Sequence, residues 1–238
     1  MIYLLLFLLV IISGFSFFLF KDEEGKKIKL LLSFSGAYLL AISFLHLIPE
    51  IYGCADNRFI GFFVLAGFFL QILLEYFSKG IEHGHVHLHN HGDHKHAFPL
   101  AVVASLCVHS FLEGMPLAKV VNAGEYFNKL LIGISLHNIP ISIVLMSLLI
   151  KAVSRAGAFF WLIIFALMLP LGAAANYFLE KNIGTVISNY NNVILAVVVG
   201  IFLHISTTIL FESTENHRFN LLKFISILLG AGFAIIQW

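Results

Sequence analysis

Inside an otherwise apolar stretch, VHSFLEGMPLA at residues 108–118, the chain places His109 and Glu113 four residues apart. On a helix that spacing brings an imidazole and a carboxylate onto one face, within joint reach of a single cation. A second apolar stretch, LHNIPISIVL, carries His137 and Asn138. Two imidazoles and one carboxylate form the donor set of a divalent-metal centre that leaves a position for water or a weaker ligand. The bland readings are a histidine that only hydrogen-bonds across helices, or a His–Glu pair that only neutralises itself.

The elements that must position these residues are membrane helices. Of 238 residues, 60% are hydrophobic and 11% charged, a balance outside that of soluble domains. Apolar runs cover 2–20, 30–53, 59–78, 98–118, 130–150, 156–179, 190–211 and 220–237. Each approaches the roughly 20 residues that a helix needs to cross the hydrocarbon core. The expected fold is an all-α polytopic membrane protein with eight transmembrane helices. Residues 1–238 then make one transmembrane domain, interrupted by one long polar connection at 80–97 between spans three and four. The first run has no basic leader and no small-residue cleavage site, so it reads as a span. A net charge of +1 without a basic block argues against nucleic acid as a partner. Cys54 and Cys107 show no CxxC spacing, which indicates neither a disulfide framework nor a four-cysteine metal site.

Loop charges set the orientation. With the N-terminus outside, the inner loops hold ten basic residues, Lys21, Lys26, Lys27, Lys29, Lys79, Lys95, Lys151, Arg155, Arg218 and Lys223. The outer loops keep four, Arg58, Lys119, Lys129 and Lys181. The positive-inside tendency therefore places both termini outside the cytoplasm. The long connection then faces the cytoplasm. It reads HGHVHLHNHGDHKH, with His83, His85, His87, His89, His91, His94 and His96 beside Glu82 and Asp93. Imidazole at this density cannot build a packed core and can bind or buffer borderline metal ions.

Ionisable groups within spans are expensive and mark a pathway, a partner or a site. His109 lies 11 residues into a span beginning at 98, and His137 8 residues into one beginning at 129. At about 1.5 Å per residue both fall near mid-membrane on antiparallel neighbours. Pro116 and Pro140 cannot donate to the carbonyls of Leu112 and Leu136, so each span should kink beside the candidate ligands. Pro49 and Pro170 repeat the pattern on spans two and six. Along a route through the membrane, Glu50 and the deeper His46 suit an entrance. His204 and Glu212, followed by Glu215 and His217, suit an exit. Gln71 and Glu75 share a face of span three, and Glu75, close to Lys79, reads as a local ion pair or a snorkelling group.

The histidine-rich loop, HSFLEG on span four and HNIP on span five resemble the ZIP (Zrt-, Irt-like protein) family of divalent-metal transporters. HLIPE, PLGAAA and GIFLHISTTILFE extend the likeness over nearly the whole chain. The resemblance implies a ZIP-like bundle that takes up Zn²⁺, sometimes Fe²⁺, Mn²⁺ or Cd²⁺, into the cytoplasm through a site between spans four and five. It also implies extracytoplasmic termini, a cytoplasmic third loop and a homodimer, for which the small residues of LGAAANY would permit close packing. One departure matters. Many members carry a second glutamate in an HxxPEG-like motif on span five, where this chain has Ile141 and Ser142 after the proline. Ser110 stands where other members place a stronger ligand. Both features favour one metal over two, and a His-rich donor set favours Zn²⁺ over Mn²⁺.

Other classes meet obstacles. The chain has no HExxH and no Asp inside a span, which leaves a membrane-embedded metal-dependent hydrolase little to use. A membrane metal exporter with a histidine loop, or a non-transporting metal sensor, stays open. Short loops and a Phe- and Ile-rich composition point to a bacterial inner (plasma) membrane and its lipid bilayer.

Overall fold

The computed structural model describes residues 2–19, 25–53, 59–81, 99–118, 126–183, 190–212 and 220–237. The seven histidines of residues 83–96 lie outside them, as do Glu215 and His217. All regular structure among the described residues is helical. Helix α1 is Ile2–Ser16 and α2 begins as Lys26–Ile42, continuing through a π turn, Ser43–Leu47, into Ile48–Tyr52. Helix α3 is Ile60–Ser78; α4 is Leu100–Gly114, followed by a 3₁₀ turn, Met115–Ala118. Then come α5 (Tyr126–Ala152), α6 (Arg155–Ile183), α7 (Tyr190–Glu212) and α8 (Leu221–Ile236).

Helices α2 to α7 are long and apolar enough to cross a membrane, whereas α1 and α8, at 15 and 16 residues, are apolar but shorter. The expected count of eight spans thus holds for six by length. After Ser16 the first apolar run tightens, as Phe17, Phe18 and Leu19 donate to the carbonyls three residues back. Large apolar side chains such as Phe62, Phe69, Phe160, Phe178 and Leu228 stand exposed around the bundle. That surface suits hydrocarbon and not water.

The helices sort into two packed groups. In one, α1 lies on α5 and α6, and α4 lies on α6; in the other, α3 packs on α7 and α2 packs on α7 and α8. The groups meet where α2 touches α5 and α3 touches α4. Glycines set the closest crossings. A Cβ on Gly172 of α6 would run into the carbonyl of Phe111, and one on Gly114 of α4 into that of Leu169. Gly67 and Gly200 play the same part between α3 and α7. The small residues expected to suit a dimer contact are therefore used in part within the chain, with Gly172 against α4 and Ala173 buried.

The prolines act differently from one another. At Pro116 the α-helix gives way to the 3₁₀ turn, whose carbonyl at Met115 accepts from Asn176 Nδ2 at 2.9 Å. Pro140 and Pro170 sit within continuous helices. Pro49 stands two residues after the π turn, at whose end the N–H of Ile48 donates to the carbonyl of Ser43. Such wide turns occur often at functional positions, and this one carries His46.

Candidate metal centre

His109 and Glu113 project from α4 and His137 from α5, and all three are fully buried. The two helices bring one ligand atom from each residue within 4.8 Å of the others. His109 Nε2 stands 3.2 Å from Glu113 Oε1, and the two imidazole rings meet edge to face with centroids 6.0 Å apart. Ligands of a tetrahedral Zn²⁺, with bonds of about 2.1 Å, lie about 3.4 Å apart. Contraction by little more than about an ångström would close this set on an ion.

The surrounding hydrogen bonds orient the donors. Gln71 of α3 offers Oε1 to His109 Nδ1 at 3.0 Å. With Nδ1–H donating there, the Nε2 lone pair turns toward Glu113. Glu113 Oε1 stands opposite that nitrogen, a contact that either a second proton on the imidazole or a cation beside the two atoms satisfies. The other oxygen, Oε2, accepts from Asn138 Nδ2 at 3.3 Å. Asn138 also donates to the carbonyl of Ile134 at 2.9 Å, and its own carbonyl accepts from Ser142 at 2.6 Å. Among the candidate ligands, Asn138 thus presents its amide nitrogen to Glu113. Ser110 is buried beside His109, and its hydroxyl has no hydrogen-bond partner among the described residues.

The other candidate pathway residues form separate pairs. His46 meets Lys129 of α5, its Nδ1 lying 3.3 Å from the ammonium. Glu50, in the last turn of α2, is exposed. On the opposite side of the centre along α3, Glu75 engages His204 Nε2 of α7, with the Phe68 ring edge-on to that imidazole at 5.0 Å. Glu212 ends α7, and its side chain lies outside the described residues.

Two expectations need correction. Lys129 was placed in an outer loop by the run boundaries, but α5 begins at Tyr126 and Lys129 is 9% exposed within its first turn. The local reading of Gln71 and Glu75 also gives way, because each reaches a histidine on a different neighbouring helix. Gln71 is a site neighbour to which sequence reasoning gave only a local role. An amide in the middle of GFFLQILLEYF was a signal, but its partner is 38 residues away.

Helices of membrane-crossing length, an apolar exterior and a buried His–Glu–His group define the class, a polytopic membrane protein whose interior can ligate a cation. The model of the ZIP zinc transporter family matches residues 99–237, more than half of the chain, and the chain belongs to that family. The matched segment runs from just before α4 into the end of α8 and includes His109, Glu113 and His137. Comparison with curated proteins gives no match. A ZIP protein is a divalent-metal transporter of a membrane and not an enzyme.

Proposed function

We propose that this chain carries Zn²⁺ from outside into the cytoplasm, and that His109, Glu113 and His137 hold the ion midway. The observation that carries the reading is the convergence of His109, Glu113 and His137 in a fully buried site, with His109 Nε2 and Glu113 Oε1 3.2 Å apart. Two imidazoles and one carboxylate suit Zn²⁺ better than Mn²⁺, while Fe²⁺ and Cd²⁺ fit as lesser substrates. Asn138 supports the carboxylate. With Ile141 buried where a second carboxylate would be needed, the centre takes one ion per protomer.

His46 and Glu50 line the approach from outside, and His204 with Glu75 receives the ion on the inner side, ahead of Glu212. The histidine tract, His83 to His96, collects ions in the cytoplasm. Helices α1 and α8 complete eight spans. Helix α1 with its three-residue tightened tail reaches about 28 Å, close to the roughly 30 Å hydrocarbon core. Both termini face outside, the membrane is a bacterial inner membrane, and two copies pair.

The deciding experiment is Zn²⁺ flux in sealed vesicles containing the purified protein in known orientation. Accumulation on the side of the histidine tract, driven by an applied Zn²⁺ gradient, is expected. Flux only in the opposite direction would replace the reading by export, and binding without flux would replace it by sensing.

A further inference from the structure

Lys129 lies in the first turn of a membrane helix and is largely buried. It is 9% exposed, and among the described residues its ammonium meets no carboxylate, only Nδ1 of His46 at 3.3 Å. An ammonium offers donors and no acceptor, so His46 must turn the lone pair of Nδ1 toward it. A lone pair of this kind is also what a histidine uses to bind a metal. Lys129 and an arriving cation therefore compete for one atom.

We propose that Lys129 is a tethered competitor, whose ammonium occupies His46 until a divalent ion displaces it. The proposal rests on the reading of His46 as part of the transport route. Lys129, Gly133 and His137 stand at i, i+4 and i+8 on α5, so Lys129 is about 12 Å along the helix from the central imidazole. Between them Gly133 lies against Tyr38, Leu39 and Ile42 of α2, close enough that an added Cβ would press on their side chains. The competing pair thus sits on the Glu50 side of an apolar closure, and the metal centre sits beyond it. The Tyr38 hydroxyl stands beside the backbone from which the ammonium is tethered, 3.1 Å from the carbonyl of Lys129 and 2.7 Å from Gln237 Oε1. Only the fraction of molecules with the His46 lone pair open can take up an ion there, and the apparent affinity falls by that fraction.

The test titrates purified full-length protein with Co²⁺, which reports histidine coordination in its visible spectrum. Wild type, Lys129→Met, His46→Ala and the double variant are compared, and the histidine tract contributes the same background to all four. Lys129→Met should strengthen one histidine-dependent class of Co²⁺ sites by about threefold or more, the reciprocal of the open fraction. The double variant should lack that gain, and Lys129→Arg, which retains a cationic donor, should titrate like wild type. Lys129→Gln serves the same comparison where the methionine variant does not fold. No gain on neutralising Lys129, or a gain that survives loss of His46, overturns the proposal. A wild-type protein that moves no Zn²⁺ in vesicles would overturn the transport reading instead and leave this binding comparison intact.

Discussion

The two oxygens of Glu113 have different work. Oε2 is held by Asn138 and Oε1 is turned toward His109, so protein groups alone orient the carboxylate. Loss of either His109 or Glu113 to alanine should reduce initial Zn²⁺ uptake by about tenfold or more while the protein still folds in detergent. Wild-type uptake by either variant at equal protein level would remove the centre from the route. Gln71 acts one step further out, since it fixes which nitrogen of His109 faces Glu113. Gln71→Leu should weaken Zn²⁺ binding at the centre by about 10- to 100-fold. Gln71→Glu, which keeps an acceptor opposite Nδ1, should recover much of the loss. Equal weakening in both variants, read by calorimetry, would show that Gln71 matters only for packing.

Among the elements, α4 depends most on its neighbours. Its ligand-bearing stretch lies against α6 through Gly114 and Gly172, each facing a backbone carbonyl of the other helix. Its end is held as a 3₁₀ turn by Asn176 and by the Tyr3 hydroxyl, which donates to the carbonyl of Leu117 at 3.0 Å. Gly172→Val should force α4 and α6 apart, costing about 1–3 kcal/mol or more of stability and displacing His109 and Glu113 together. Gly232 of α8, where an added Cβ meets nothing within 4 Å, is the control. Gly232→Ala should leave the detergent melting temperature unchanged or raise it, and a similar fall in both variants would refute the crossing argument.

At the level of the whole molecule, the candidate metal centre draws its residues from α4 and α5 and is oriented across the seam between the two helix groups. His109 takes its orienting bond from α3, and Lys129 meets His46 of α2. A buried centre held in this way needs no help from a loop outside the spans. Deleting residues 83–96 should therefore change the initial uptake rate by less than about threefold, while removing several weak Zn²⁺ equivalents that protons displace as pH falls through about 6.5. Loss of all uptake in correctly inserted protein would make the tract part of the route.

The pattern of the chain by itself determined the membrane class, because apolar runs near 20 residues leave few alternatives in a bilayer. It also determined the three central candidates, His109, Glu113 and His137, because ionisable groups are conspicuous in apolar helices. Helix ends were less legible. Polar residues at the first turns, such as Lys129 in YFNK, look like loop in composition but are helical once a neighbour receives them. Partners were not legible at all where they lie on other helices. Gln71 with His109 and Glu75 with His204 join residues 38 and 129 positions apart, and a local i,i+4 reading pairs Gln71 with Glu75 instead. Spacing along one helix reports which side chains share a face; which helix that face meets is decided by packing, here by glycines that let backbones approach and by the way two groups of helices come together.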